Sequence, residues 1–567
     1  MHGARPSASR IELRALRVRV ARFTRSDARL AEPHVLELPD RPAICTAESI
    51  AVGTSPHEAG AKGDGLLLLD IADLEPGAEV RASVCIVGAG AAGITLARTL
   101  ASRGVEVALL ESGGLDPEPE IQALHGGEAS GAAYPPLHAM RLRYLGGTTN
   151  HWEGQSALLD PEDFALRAWV PDSGWPIPYR EYLRYLDEAR AVCELGSGSF
   201  DYSEVARQRT LAPFPPLAGL EPVVLRFSPP TRFGRRYRAE LESHARIRCV
   251  LHATCLRLAA SENGGSVVRA DAGSLDGRRI RVVADRYVLA AGAIENARLL
   301  LLSTRPSGVA LGNDHGLVGR YFMEHPYVEL RYTVLSDDRT NAYFVEPSVG
   351  DGADRLRRDA RLVPDARASM RILNHSFYFA RLRQMPPNVT LGDRLVRLWD
   401  KARDKLFRDE GPPNHFVLRL RLEHAPHADS RVVLADDEDA FGLRRARVEF
   451  RFGELERRTI VAVQERVALA LGEAGLGRVR LDVDEDARGW IERIGWQWHH
   501  MGGTRMHEDP RRGVVDANAR VHGTSNLYVA GSSIFPTSGH ANPTLSLVAL
   551  TLRLADRLGT EARGATA

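Results

Sequence analysis

The hydrophobic pattern of the chain is most regular between Val84 and Gly114. Val84, Ile86 and Val87 form a short, uncharged β-branched run, as a strand buried on both faces requires. Ile94, Ala97, Leu100 and Ala101 then recur at helical spacing, and Gly104 closes that helix. Val105 to Leu110 makes a second buried strand. Tyr287 to Ser303 repeats the order more weakly: a strand, a small-residue turn at Ala290 to Ala293, then a helix. Between the two, Ile247 to Leu258 reads as a strand pair or one long bent strand, and Tyr237 to His244 as a short helix. Leu527 to Ala530 reads as a strand rejoining the first sheet, and an apolar helix follows it as far as Leu558.

The middle of the chain has a different period. Between Glu329 and about Asp484, the runs Val417 to Leu422, Arg431 to Leu434 and Ala446 to Phe452 alternate apolar and polar residues. That is the pattern of antiparallel strands with one wet face. Thr459 to Ala474 is an amphipathic helix; Leu395 to Phe407 is a basic one, read as a surface lid and not as a membrane anchor. Another helix starts near Pro178, inside a connection rich in proline and aromatic residues from Trp169 to Tyr185. The whole block reads as an inserted substrate domain. Residues 1 to about 64 stand apart: eight arginines from Arg5 to Arg29 sit among few acids, and a disordered extension is expected there.

Length and charge narrow the picture. A chain of 567 residues exceeds one core and predicts two or three domains. Its 44% hydrophobic and 26% charged residues are those of a globular protein, and a net charge of +1 gives no reason to expect nucleic acid or an anionic membrane as partner. The five cysteines, Cys45, Cys85, Cys193, Cys249 and Cys255, are odd in number and contain no C-x-x-C pair, so free thiols and a cytoplasmic location are expected. No apolar run reaches the length of a membrane span, and no secretory signal is visible.

The first candidate chemistry lies between the two leading strands. Gly88, Gly90 and Gly93 hold the G-x-G-x-x-G spacing, with Ala91 and Ala92 opening the helix behind them. The first glycine permits the tight turn, the second lets backbone approach a pyrophosphate, and the third lets helix pack on strand. Glu111 and then Ser112 follow the second strand, where a carboxylate can accept from ribose hydroxyls. This stretch predicts an adenine dinucleotide; NAD and FAD share the geometry and both stay open. In Tyr144 to Gly154, the pair Gly146 and Gly147 precedes Asn150, His151 and Trp152, which reads either as backbone pressed against a flat ligand or as a turn packed on the tryptophan. The tail carries His499 and His500, then His540 and Asn542, each beside glycine. A metal site is discounted because these histidines lack helical i,i+4 spacing and a carboxylate partner. No G-x-S-x-G nucleophile elbow is present either. What remains is an imidazole able to take a proton, near an amide able to orient an oxygen.

From about residue 66 to 558 the chain resembles the glucose–methanol–choline (GMC) family of flavin oxidoreductases. The motifs that carry this are the fingerprint with Glu111, the Gly146-Gly147 turn, the Val318-Gly-Arg320 to His325-Pro326 segment, and the tail. Ala541-Asn-Pro-Thr544 places the tail nearest the branch of pyranose oxidases and bacterial glycoside oxidases. The resemblance implies an α/β fold: a Rossmann-like FAD-binding domain with an inserted substrate domain of antiparallel sheet and helices. It divides the chain into 1–65 (disordered extension), 66–160, 245–328 and 495–567 (FAD-binding), 161–244 (connecting or substrate segment) and 329–494 (substrate-binding). It implies FAD as cofactor, an alcohol or glycoside as substrate, and oxygen or a quinone-like acceptor. By this resemblance His500 takes the substrate proton, and Asn542 stands where other members carry a second histidine. His499 and His540 are expected to pack or to contact substrate. Cofactor contacts are assigned to Gly88, Gly90, Ala91, Ala92, Gly93, Glu111, Ser112, Gly146, Gly147, Asn150, His151, Trp152, Cys255, Ala291, Gly292, Gly531, Asn542, Pro543 and Thr544. His151 stands where some pyranose oxidases attach FAD covalently, but Asn150 and Glu153 depart from that pattern, so non-covalent FAD is expected. Glu295-Asn296, where much of the family has Ser-Pro, is a second departure.

Overall fold

The computed structural model describes residues 68–131, 134–209, 211, 213–335, 343–344, 348–350, 352–381, 415–481 and 494–566. The expected N-terminal extension, Cys45 and the Leu395 to Phe407 helix lie outside the described residues.

The uncharged runs form a parallel sheet. Its strands lie side by side in the order Leu68–Asp70, Ile247–Leu251, Val107–Leu110, Glu79–Val87 and Arg279–Leu289. Leu527–Val529 pairs in parallel with the far end of the last of these, Tyr287 opposite Leu527. Val84, Cys85 and Ile86 are fully buried, as strands covered on both faces must be. The helix Ala91–Ser102 leads from Glu79–Val87 to Val107–Leu110 on one side, and Arg279–Leu289 lies on the other. The glycine loop therefore sits where strand order reverses, the usual crevice for a ligand in an open α/β sheet. Ile247 to Leu258 resolves into two strands broken at His252, whose φ is +52°. The first joins the parallel sheet; the second, Thr254–Ala260, pairs antiparallel with Val267–Gly273.

The alternating runs build a second, antiparallel sheet, in the order Gly477–Val479, Pro326–Leu335, His415–Leu422, His375–Arg381, Leu356–Leu362, Leu220–Phe227 and Gln155–Ser156. Phe416, Leu418, Leu420 and Leu422 are wholly buried in one core with Ile460, Val463, Val467 and Leu471 of the helix Glu454–Glu473. Because strand side chains alternate, Arg419 and Arg421 point the other way, level with Tyr378 and Ser376 on the neighbouring strand. One face of this sheet is thus apolar and packed, and the other is polar. Arg431–Glu438 and Arg444–Phe450 do not join it; with Gly127–Gly131 they make a separate three-stranded sheet.

Candidate active site

Three neighbouring parallel strands end in turns built on glycine. Gly88, Gly292 and Gly531 have φ of +101°, +86° and +105°, a region that L side chains rarely enter. A Cβ on Gly88 would lie 2.8 Å from the carbonyl oxygen of Ala290, and one on Gly93 would lie 1.8 Å from that of Gly88. These two glycines are demanded by backbone packed against backbone. Gly90 is different: an added Cβ there meets nothing within 4 Å, and no side chain caps the helix that begins after it. An uncapped helix start beside open space leaves N–H groups and a positive dipole end for phosphate. The Gly146-Gly147 turn is docked on this loop, with the Gly146 amide donating to Ala89 at 2.9 Å.

Glu111 ends the second strand as expected, and both of its oxygens accept backbone N–H groups, Ala89 at 2.8 Å and Gly113 at 3.0 Å. Burial raises its pKa. It holds the two turns in register, and a ribose hydroxyl there would share oxygens already accepting bonds. Ser112 bonds Thr254 at 2.6 Å and accepts from Arg143 at 3.0 Å. Ala291 is fixed by Asn296, whose side-chain oxygen accepts its amide at 2.9 Å. Glu295, beside it, faces Arg141 at 2.7 Å, Arg143 at 3.2 Å and Arg298 at 3.4 Å. The departure at Glu295-Asn296 thus has a structural reason: one residue caps the turn and its neighbour anchors arginines. Cys255 lies on Thr254–Ala260, half-buried, with its sulfur nearest the carbonyl of Arg257.

At the other end, the His499-His500 pair lies against the Glu324-His325 pair. His500 Nε2 is buried without a hydrogen-bond partner, 3.6 Å from a carboxyl oxygen of Glu324. Burial depresses its pKa to about 3, so the ring is neutral. Glu324 is fully buried; one oxygen accepts the amides of His325 at 2.8 Å and His499 at 2.5 Å, and the other lies 3.3 Å from the hydroxyl of Tyr134. Its pKa is pushed up to about 8 by burial, which makes it a neutral acid at pH 7. Asn542 accepts from Arg421 at 2.8 Å and meets His499 Nε2 at 3.3 Å. The other nitrogen of His499 meets His325 at 3.0 Å, which leaves neither ring nitrogen for a substrate hydroxyl. His540 lies within 3.3 Å of Asp160 and 3.2 Å of Arg361, fully enclosed. His151 is half-buried, its Nε2 has no hydrogen-bond partner, and its ring lies 5.6 Å from that of Trp498. Trp498 itself has φ of +61°, a strained backbone just before the histidine pair.

Asn542 is therefore brought against His499, the chain neighbour of His500, while His540 belongs to an ion-pair cluster. Sequence reasoning assigned no role to Glu324 or Arg421. Glu324 directly precedes the His325-Pro326 motif, which was the one signal pointing at it. Arg421 sits in an alternating strand like any solvent-facing arginine, and nothing in the sequence marks it as buried.

A dinucleotide cradle at one end and a buried, neutral imidazole at the other are the parts of a dinucleotide-dependent oxidoreductase. Comparison with known proteins agrees. Residues 426–551 match the family described as GMC oxidoreductase, and residues 81–117 match an FAD binding domain. The 6'''-hydroxyparomomycin C oxidase of Streptomyces lividus is 27% identical over 85% of this chain and 92% of that protein. The fructose dehydrogenase large subunit of Gluconobacter japonicus is 29% identical, in a match spanning 49% of this chain and 48% of that protein. A solved formate oxidase has the same fold, with a TM-score of 0.52 at 19% identity over 87% of this chain and 100% of that one. The C-terminal part of the chain is thus that of a GMC oxidoreductase, the relatives it resembles over most of its length are oxidases and dehydrogenases, and its cofactor is FAD.

Proposed function

We propose that this enzyme oxidises a hydroxyl of a sugar or glycoside to the carbonyl, with His500 as the proton acceptor. The observation that carries the reading is the neutral imidazole of His500, whose Nε2 has no hydrogen-bond partner among the described residues and whose chain neighbour His499 meets Asn542 at 3.3 Å. Bound FAD supplies a hydride acceptor for the carbinol carbon. His500 takes the hydroxyl proton, because hydride leaves far more readily from an alkoxide-like carbon. Asn542 donates an N–H to the oxygen as its charge grows. Relatives named for a hydroxyparomomycin and for fructose support a carbohydrate substrate. The turns at Gly88, Gly90 and Gly147 hold the adenosine and pyrophosphate end, and no residue is assigned a covalent link. Acid precipitation of the holoenzyme should therefore release the flavin into the supernatant; yellow colour retained in the pellet would assign a bond to the flavin, with His151 the first position to test.

In this reading residues 66–160, 245–328 and 495–567 hold the cofactor, 161–244 connects or contributes to the substrate side, and 329–494 covers the substrate. A cytoplasmic location fits the unpaired cysteines among the described residues, Cys85, Cys193, Cys249 and Cys255. No helix of the described residues is long and apolar enough to cross a membrane. The test of function is anaerobic bleaching of the bound flavin by a panel of sugars, glycosides and simple alcohols, repeated in air with peroxide detection. A sugar should bleach it; flavin that no alcohol reduces would overturn the reading.

A further inference from the structure

Four hydrogen bonds behind the active site all run in one direction. Arg421 can only donate, so the Asn542 atom 2.8 Å from it is the carbonyl oxygen, and the amide nitrogen faces His499. His499 Nε2 must then accept from that N–H, at 3.3 Å. A neutral ring that accepts at Nε2 carries its proton on Nδ1, and His499 Nδ1 lies 3.0 Å from His325 Nδ1. His325 accepts there because its own Nε2 donates to the carbonyl of Gly539 at 2.9 Å. Both rings stay neutral: burial holds His325 at about 3 and His499 well below its ordinary value, with Arg421 and a neighbouring histidine adding to the effect. The chain Arg421, Asn542, His499, His325, Gly539 therefore has one consistent set of protons.

Arg421 begins this chain under unusual conditions. It is only 6% exposed, its other contact is the neutral oxygen of Gln155 at 2.6 Å, and its Nε has no partner. Burial lowers its pKa to about 10. Asp359 and Glu153 act on its charge only from beyond hydrogen-bond contact, and a guanidinium is costly to bury with neutral partners alone, while packing alone would be served by an apolar side chain. We infer that Arg421 is a positioning residue for the reaction: it locks the Asn542 amide so that one N–H is spent on His499 and the second is left for the reacting oxygen. This rests on the reading of Asn542 as the amide that faces that oxygen. The same logic makes His499 and His325 a fixed backing for the amide, with no proton to exchange.

The direct test is the position of the histidine protons, read from two-bond proton–nitrogen correlation spectra of the holoenzyme labelled with nitrogen-15 histidine, or by neutron diffraction. His499 should be protonated on Nδ1 and His325 on Nε2. Arg421→Met frees the amide to turn its oxygen toward His499, so the His499 proton should move to Nε2; Arg421→Lys, which still donates, should leave it in place. Should the methionine prevent folding, Gln155→Met loosens the same guanidinium from its other side and should give a smaller shift of the same sign. Under nitrogen with D-fructose as probe, Arg421→Met should slow flavin reduction about 10- to 100-fold, Arg421→Lys should rescue most of the loss, and neither should act further in an Asn542→Ala background. His499 protonated on Nε2 in the unaltered enzyme, or a tautomer indifferent to Arg421→Met, would overturn the proposal. A His500→Ala arm separates it from the functional reading: a slow His500→Ala with a fast Arg421→Met sinks only the positioning role, and a fast His500→Ala sinks the base.

Discussion

At the scale of single residues, the active site is made of groups kept neutral by burial. Glu324 is the sharpest case. Its folded pKa of about 8 exceeds the ordinary carboxylate value of 4.5, so the native state keeps a proton that the unfolded chain releases. The sign follows: its contribution to stability is full below the ordinary value and is lost as pH rises toward about 8. Glu324→Gln keeps an oxygen for the amides of His325 and His499 but cannot ionise. Its melting temperature relative to the parent should therefore rise between about pH 5 and pH 8, and equal differences at both would contradict the assignment. In the parent enzyme, ionisation of Glu324 places a negative charge 3.6 Å from His500 and should make that ring a stronger base. Flavin reduction should accelerate through about pH 8, and Glu324→Gln should abolish that rise. The sequence showed the histidines because they stand beside glycines in the motif-rich tail, His499-His500 before Gly502 and His540 after Gly539. It did not show the acid, because burial is a property of the fold and not of the residue.

At the scale of elements, the glycine fingerprint separates into two physical roles that its spacing alone does not distinguish. Gly93 is required by the close approach of helix Ala91–Ser102 to the preceding strand, since an added Cβ would sit 1.8 Å from backbone oxygen. Gly93→Ala should cost on the order of 1–3 kcal/mol or more in urea unfolding of the FAD-free protein. Gly90 has open space and an ordinary φ of −82°. Gly90→Ala should leave that unfolding curve unchanged and weaken FAD binding, measured by flavin fluorescence. A stable, FAD-saturated Gly90→Ala would remove Gly90 from the cofactor cradle. Strands and helices of strong period were legible because burial imposes the period: Thr459 to Ala474 matches the observed helix Glu454–Glu473, which starts five residues earlier and has Ala474 as its C-cap, and Val417 to Leu422 lies within the strand His415–Leu422. Which strands share a sheet was not legible. Arg431 to Leu434 and Ala446 to Phe452 alternate as well as Val417 to Leu422 does, yet they pair with each other, and the second of them pairs with Gly127–Gly131, more than 300 residues earlier in the chain.

At the scale of the whole molecule, the chain visits each of its two large sheets several times. Arg167, from the connecting segment, is bound through both guanidinium ends to Glu423, just beyond the strand that carries Arg421, at 2.5 and 2.7 Å. Both are nine-tenths buried or more. Arg167→Met would leave a buried carboxylate unpaired and should cost about 3–5 kcal/mol; replacing both partners with apolar residues should recover much of that in the same unfolding measurement. The overall class could be read from the ordered motifs because each is a local demand of cofactor binding. The substrate could not, because the polar face of the antiparallel sheet is assembled from three separate strands, with Arg357 on one, Tyr378 on the next, and Arg419 and Arg421 on the third.

The central claim is that His500 accepts the substrate proton while the fold holds FAD for the hydride. It is tested most directly by rapid-mixing anaerobic reduction of the bound flavin with a sugar that bleaches the parent enzyme, comparing the parent with His500→Ala at equal flavin content. Loss of a positioned general base predicts a fall of about 10²–10⁴-fold in the reduction rate with the flavin still bound. A His500→Ala enzyme whose flavin bleaches at the parent rate would contradict the account.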